Sequence, residues 1–306
     1  MDRLKNIIVG VDFSSRSRVA LSQAVRMAGW NRAKLHVVHV LDPLVLSDLT
    51  KMLKISEGQM REEARSSTLE RIDEMLASVE VGDLQIRREV LVGNPFDELL
   101  RLVNNVRADL LVLGSAGEFA PGQVAGALAS KCVRKVPTKV MLVREEHAHP
   151  FARVVACIDF SETSRRVVQQ AWRVAQQDGA EAHFVHVYAA PWKVVHWMAP
   201  TRQASPEYQR QFLSTLMDTL GQFVRDSLRE NGADGGFHFD LIEHDECAQG
   251  IVEFVRDHGA DLTIIGTRGR TGVKSLLMGT TAERVVQRSP SSVLAIKPDN
   301  FRYRLE

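Results

Sequence analysis

The segment GTRGRTGVKSLLMGTT, residues 266–281, combines residue types that can bind an anion. Its glycines let the backbone approach a ligand closely, and Thr280 and Thr281 add hydroxyl donors at the start of a predicted helix. The first N–H groups of a helix lack intrahelical partners and lie at the positive end of the helix dipole. The segment therefore predicts a phosphate-binding loop. Its basic residues are Arg268, Arg270 and Lys274.

Two common nucleotide motifs do not account for this loop. The chain contains no GxxxxGK[ST] sequence, and no GxGxxG follows the first predicted strand, IVGVDFS. The segment is therefore neither a Walker loop nor a dinucleotide fingerprint, and an ordinary glycine-rich loop after a strand is the alternative to a phosphate-binding loop of another kind.

The chain contains two copies of one unit. KNIIVGVDFS is repeated as RVVACIDFS, which aligns Asp12 with Asp159. LHVVHV is repeated as AHFVHV, and ADLLVLGSAG as ADLTIIGTRG, in the same order. The repetition indicates a tandem duplication, with domains predicted at residues 1–146 and 151–306.

Each copy alternates short β-branched runs with amphipathic segments, among them two long predicted helices at 57–80 and 205–229. Near-continuous apolar runs are typical of parallel strands that are covered on both faces. We therefore expect two similar doubly wound α/β domains, each with a five-stranded parallel sheet flanked by helices. A pseudo-two-fold axis is expected to relate them.

Composition excludes several classes of protein. The 306 residues include 39 basic and 38 acidic ones, a net charge of +1, which predicts no nucleic-acid partner. No apolar stretch approaches the roughly 20 residues that span a bilayer, so no membrane association is expected. The chain has three cysteines, Cys132, Cys157 and Cys247, which are far apart. An odd number of distant cysteines fits a reducing compartment, and we expect a cytoplasmic protein.

The glycine spacing resembles a known motif. Gly266-x-x-Gly269, nine residues and then Gly279-Thr280 is similar to the G-2x-G-9x-G-[ST] motif of the universal stress protein family. The DFS after the first strand of each copy, and the HV that ends the second, also resemble that family. The resemblance implies an ATP or AMP ligand, with Mg²⁺ as an optional companion, and a regulatory role in stress response through an unidentified protein partner.

The resemblance also assigns roles by position. Asp159 would lie near the adenosine, and the backbone at Val187 would meet the adenine edge. The ribose and phosphates would be held by the loop residues Gly266, Thr267, Arg268, Gly269, Gly279, Thr280 and Thr281.

The first copy departs from the motif. Only eight residues separate Gly117 from Gly126, and Ala127 stands where the second copy has Thr280. Glu118 gives this loop a charge of −1, against +3 in the second copy, and Pro121 removes a backbone donor. We expect the N-terminal domain to bind ATP poorly or not at all.

Other features carry weaker hypotheses. His39 and His186 are expected to be packed core histidines and not catalysts, and His244 with Cys247 is a weak metal pattern. The aromatic run that follows the second strand of the second copy predicts packing, a lid or a partner surface. Its members are Trp192, His196, Trp197 and Met198.

Two alternatives to a nucleotide-binding regulator remain open at this stage. One is a slow ATPase or phosphotransferase, although no catalytic base is evident from the motif. The other is a nucleotide-free scaffold for a protein or another ligand. The chain is expected to be either a monomer with pseudo-dimeric domains or a homodimer.

Overall fold

A computed structural model of the chain describes residues 4–115, 125–144, 147–194, 205–229, 237–269, 278–299, 301 and 303. The chain divides into two compact units. One consists of Asp2–Pro150 with Phe301–Glu306, and the other extends over Phe151–Asn300.

The first unit alternates strands and helices. Its elements are β1 (Asn6–Gly10), α1 (Ser15–Asn31), β2 (Lys34–Leu41), α2 (Pro43–Leu53), α3 (Glu57–Ala77), β3 (Ile86–Val92), α4 (Pro95–Val106), β4 (Leu110–Gly114), α5 (Ala127–Lys135) and β5 (Lys139–Val143).

The second unit has the same order of strands. Its elements are β6 (Arg153–Cys157), α6 (Glu162–Asp178), β7 (Glu181–Tyr188), α7 (Pro191–Val194), α8 (Pro206–Leu228), β8 (Phe237–Glu243), α9 (Cys247–Asp257), β9 (Leu262–Gly266), α10 (Thr280–Arg288) and β10 (Ser292–Ile296).

Both sheets are parallel and share one topology. The strand order is β3-β2-β1-β4-β5 in the first unit and β8-β7-β6-β9-β10 in the second. The order reverses between β1 and β4, and between β6 and β9, so a crevice forms outside the carboxyl ends of those strands. The predicted parallel α/β fold of two repeated domains is confirmed.

The central strands carry long apolar runs because they are covered on both faces. Ile7, Ile8 and Val9 of β1 are fully buried, as are Val154 and Val155 of β6. These buried strands form a rigid frame, and the loops of the candidate site follow their carboxyl ends.

Serine caps fix where the first helix of each unit begins. The Ser14 side chain accepts from the N–H of Ser17, and the Ser161 side chain accepts from the N–H of Ser164. The two long helices predicted from the sequence are observed as α3 and α8. In the part of the chain that the structure describes, no helix combines the length and the apolar character needed to cross a membrane.

Candidate nucleotide site

A cavity of about 290 Å³ opens at the carboxyl ends of β6, β7 and β9. It lies at the point where the strand order of the second unit reverses, which is where open α/β sheets bind ligands. All nine site residues expected from the sequence line this cavity. They are Asp159, Val187, Gly266, Thr267, Arg268, Gly269, Gly279, Thr280 and Thr281.

Asp159 is held in place by its own turn. Its Oδ1 accepts from the hydroxyl of Ser164 at 2.5 Å and from the N–H of Ser161 at 3.0 Å. Ser164 Oγ is in turn 3.1 Å from the N–H of Asp159. The carboxylate is therefore oriented before any ligand binds, because two donors hold one of its oxygens.

Gly269 is a glycine because Asp159 lies against it. A Cβ on Gly269 would overlap Asp159 Oδ2, so any side chain would push the loop or the carboxylate away. The chain thus passes over Asp159 as closely as backbone permits.

Gly266 and Gly279 differ from Gly269 in their surroundings. A Cβ on Gly266 would meet Thr163 Cγ2 at 2.9 Å, so this glycine lets α6 pack against the end of β9. A Cβ on Gly279 would find nothing closer than the Thr267 carbonyl at 3.7 Å, and its φ of −75° is open to any residue. Neither packing nor backbone strain explains Gly279.

The backbone at Val187 offers a donor and an acceptor to the cavity. The N–H of Ile158 donates to Val185 O at 2.8 Å, so the polar groups of Val185 face β6. Alternate residues of a parallel strand face the same neighbour, and β6 ends at Cys157. The N–H and C=O of Val187 therefore face the space beyond β6.

The loop after β9 is anchored at both of its described ends. The N–H of Thr267 donates to Ile296 O at 2.9 Å, and the N–H of Gly279 donates to Thr267 O at 2.8 Å. These bonds place the first turn of α10 beside Thr267. Among the described residues no side chain caps α10, so its first N–H groups, with Thr280 and Thr281, can donate to an anion.

Thr267 contributes a second polar feature. Its hydroxyl is fully buried and, within the described residues, has no hydrogen-bond partner. A buried hydroxyl without a partner is costly, and a polar ligand group in the cavity that Thr267 lines would satisfy it.

The first unit keeps the frame and loses the polar groups. The N–H of Ser115 donates to Val143 O, and the N–H of Gly126 donates to Ser115 O, both at 2.9 Å. The helix that follows, α5, begins with Ala127 and Leu128 where α10 has two threonines. The hydroxyl donors are therefore absent at an otherwise equivalent helix start.

His39 and His186 occupy matching places as hydrogen-bonded, partly buried side chains. Each Nδ1 is 2.7 Å from a backbone carbonyl, that of Val11 or of Ile158. A carbonyl only accepts, so in both rings Nδ1 carries the proton. Burial lowers the pKa of His39, and the Arg71 charge lowers it further. The hydrogen bond to Val11 O and the Asp12 carboxylate raise this pKa, but burial is the largest effect.

A phenylalanine packs against each of these histidines. The rings of Phe13 and His39 are 4.7 Å apart, and those of Phe160 and His186 are 4.5 Å apart. Both phenylalanines have positive φ, 67° and 61°, which is a strained conformation for a bulky residue. The role of these two phenylalanines is not evident from the sequence, although both belong to the repeated DFS.

Two thiols also line the cavity. Burial, with the nearby Asp159 carboxylate, raises the pKa of the Cys157 thiol to about 12. Cys247, the first residue of α9, is exposed. In the sequence, Cys247 belongs only to a weak metal pattern with His244.

The structure gives His244 a local role. Its Nδ1 accepts from the N–H of Glu246 at 2.9 Å, which is a turn contact ahead of α9. Among the described residues no group of three His, Cys, Asp or Glu side chains is arranged to hold a metal ion.

Some residues of the sequence hypotheses lie outside the described residues. These include Arg270 and Lys274 in the second loop, and Gly117, Glu118 and Pro121 in the first. Of the aromatic run, the structure describes Trp192, whose ring is 5.6 Å from that of Phe212. The other members of the run, His196, Trp197 and Met198, also lie outside the described residues.

The fold and the glycine loop together define a repeated, doubly wound α/β protein with a crevice at the carboxyl ends of its central strands. The chain belongs to the universal stress protein family, whose model matches residues 3–144 and again 150–297.

Relatives match nearly the whole chain. A universal stress protein of Mycolicibacterium smegmatis is 24% identical over 298 residues, which cover 95% of this chain and 97% of its own. A universal stress protein structure from Archaeoglobus fulgidus is 19% identical with a TM-score of 0.62, and the match covers 95% of this chain and 98% of that one.

One universal stress protein has been solved in complex with cAMP. It is 20% identical with a TM-score of 0.34, and the match covers 48% of this chain and 97% of that one.

Proposed function

We propose that the chain is a stress-response regulatory protein that binds ATP or AMP in its C-terminal domain. The observation that carries this proposal is that three features line one cavity. They are the oriented carboxylate of Asp159, the backbone N–H and C=O of Val187 beyond the end of β6, and the first turn of α10, which no described side chain caps.

The adenosine end of the ligand fits the inner part of the cavity. Apolar side chains there can pack against a base, and the N–H and C=O of Val187 can pair with its polar edge. Asp159 stands beside them with one carboxylate oxygen held by Ser164. The apolar wall consists of Ile158, Val185, Ile251 and Ile265.

The phosphates fit the other end. The N–H groups at the start of α10 can donate to an anion, and the helix dipole favours negative charge there. Thr280 and Thr281 add hydroxyl donors, and Arg268 adds positive charge at the same cavity. The phosphates of a bound nucleotide would interact with these donors, and Mg²⁺ would accompany them.

The N-terminal domain is not expected to bind the same ligand. Its matching helix start offers Ala127 and Leu128, so it can contribute backbone donors and no hydroxyls. One nucleotide per chain follows from this difference.

A regulatory role follows from linkage. A ligand that binds only the folded state stabilises that state by RT ln(1 + [L]/Kd), about 2.7 kcal/mol at a hundredfold excess over Kd. Nucleotide binding would thereby stabilise the folded C-terminal domain and change the surface that a protein partner meets.

Calorimetric titration tests the proposal. Mg²⁺-ATP and AMP would be titrated into the wild type, into Thr280→Ala/Thr281→Ala, and into Leu128→Ala as the matched change in the first unit. We expect one site per chain, about 10–100-fold weaker in the double variant because hydrogen bonds to a charged group are lost. Leu128→Ala is expected to bind as the wild type does.

Two results would contradict the proposal: no heat with either nucleotide, or a loss of binding in Leu128→Ala. Analysis of the products after titration then separates binding alone from slow ATP hydrolysis.

A further inference from the structure

Helix α2 of the first unit exposes an apolar face. Of the ten large hydrophobic side chains that are exposed in the described part of the chain, five lie on this helix of 11 residues. Met52 is 75% exposed and Leu44 is 73% exposed, so most of each side chain is uncovered. The five residues are Leu44, Val45, Leu49, Met52 and Leu53.

The spacing of these residues makes the face continuous. Side chains three or four positions apart are neighbours on the surface of a helix. Val45, Leu49 and Met52 are related in this way, and Leu53 follows Leu49 by four positions. Single exposed apolar residues are common on soluble proteins, whereas a contiguous group is typical of an interaction surface.

The first unit itself provides little packing for α2. Leu46 is the only residue of the helix that is buried. The Asp42 side chain accepts from the N–H of Leu44 at 2.8 Å, and the Thr50 hydroxyl donates to Leu46 O at 2.7 Å. A helix of this length is marginal in water, and most helices in proteins are stabilised by packing of their apolar face. The exposed face of α2 would supply that packing if a partner covered it.

A carboxylate within the face restricts what can cover it. Asp48 is four positions from Leu44 and four from Met52, so it lies in the row between them. Lys51 and Lys54 follow it along the helix, and all three charged residues are exposed. A partner that covers the face must bring a cation to Asp48, because a buried charge without a counter-charge is costly.

We propose that this face is a dimer interface, at which α2 packs antiparallel against α2 of a second copy of the chain. A pair of helices that crosses at Leu49 places Val45 of each copy beside Leu53 of the other. Asp48 of each copy then lies about one residue, or 1.5 Å along the axis, from Lys51 of the other. The two-fold operation repeats both contacts, as an isologous interface requires.

The antiparallel direction follows from the order of the charges. A parallel pair would bring the two Asp48 carboxylates together, whereas the antiparallel pair brings each one to a lysine. The apolar residues form the centre of this interface and the charged residues form its rim, which is the usual arrangement. A helix of this length, about 16 Å, presents only part of the roughly 800 Å² that each partner buries in a standard interface. We therefore expect a reversible dimer that depends on protein concentration.

Sedimentation velocity of the full chain at increasing concentrations tests the interface. The wild type would be compared with Met52→Glu, and Met217→Glu is the matched control at an exposed methionine of α8. We expect the wild type to approach twice the mass of one chain. Association should be at least tenfold weaker in Met52→Glu, because a second carboxylate enters the apolar contact, and unchanged in the control.

Exchange of the charges tests the antiparallel pairing. Asp48→Lys and Lys51→Asp should each associate at least tenfold more weakly than the wild type, because like charges then meet across the two-fold axis. An equimolar mixture of these two variants should dimerise as the wild type does, since each supplies the charge that the other needs. Circular dichroism establishes that every variant is folded.

A wild type that stays monomeric, or dimers that Met52→Glu leaves intact, would overturn the proposal. A mixture of the charge variants that associates no better than either one alone would also overturn it. A monomeric wild type that binds phosphatidylcholine vesicles would overturn it in favour of a lipid surface.

Discussion

The carboxylate of Asp159 fills the space that a side chain on Gly269 would require. Oδ2 faces the glycine, while Oδ1 is held by Ser164 and by the backbone of Ser161. The glycine loop therefore has a structural requirement in addition to its proposed ligand, because it must pass over a carboxylate that is already oriented.

Gly269→Ala should be destabilising. Overpacking a site of this kind typically costs about 1–3 kcal/mol, and displacement of Asp159 should also weaken nucleotide binding. Urea unfolding measures the first effect and calorimetry the second. Gly279→Ala is the control without a clash, since a Cβ there meets nothing within 3.7 Å. Alanine is a poorer N-cap than glycine, so this variant should lose some stability, but less than Gly269→Ala loses. Equal losses in both variants would show that the Asp159 contact has no consequence.

The two thiols of the cavity should differ in reactivity. At pH 8 the Cys157 thiol, with a pKa raised to about 12, is almost wholly protonated, so it should resist a thiol reagent in the native protein. Cys247 is exposed and should react quickly. Saturating Mg²⁺-ATP should slow the reaction of Cys247, because that residue lines the cavity. Reaction rates followed by absorbance, with mass spectrometry to assign the residue, give the measurement.

Cys247→Ser should abolish the fast reaction and leave nucleotide affinity nearly unchanged. If ATP has no effect on the rate at Cys247, the ligand does not occupy the space proposed for it.

At Phe160, replacement by glycine should leave a more stable protein than replacement by alanine, which is the reverse of the usual order. Its φ of 61° costs an L-residue about 1–2 kcal/mol and costs glycine nothing. Both Phe160→Ala and Phe160→Gly lose the ring contact with His186, but the glycine variant should be more stable by about 1 kcal/mol. Phe184 in β7 is the control, where alanine should be the better replacement by about 0.5–1 kcal/mol. Denaturant unfolding of the four variants decides the sign.

His39 should make the first unit sensitive to mild acid. Its pKa is lowered in the folded state by burial, with Arg71 adding to the effect. A lowered pKa contributes stability that is present above the unfolded value of about 6.5 and is lost as pH falls through the folded value. The free energy of unfolding should therefore decrease between pH 7 and pH 5.5, by at most about 1.4 kcal/mol per pH unit for one group.

His39→Gln should flatten this dependence. Denaturation curves of both proteins at pH 7, 6.5, 6 and 5.5 provide the comparison. Parallel pH profiles would mean that the neutral form of His39 is not favoured by folding.

The fold was predictable from the sequence because its signals are local and occur twice. Buried parallel strands carry continuous apolar runs, and Ser14 and Ser161 cap the helices that follow. The loop of the candidate site was recognisable for a similar reason, since the glycine and threonine spacing is contiguous in the chain.

Contacts between distant segments were not predictable in the same way. The roles of Gly266 and Gly269 depend on Thr163 and Asp159, which are more than one hundred residues away. The His183–Asp240 pair, and its counterpart His36–Glu89, depends on the register between neighbouring strands. A sequence without an alignment does not reveal that register.

Hydrogen exchange with and without Mg²⁺-ATP is the most direct test of the central claim. We expect slower exchange in peptides containing Gly266–Gly269 and Gly279–Glu283, and no change in those containing Gly114–Ser115 and Gly126–Ser130. Protection in the first unit, or in neither unit, would contradict the assignment of the nucleotide to the C-terminal domain.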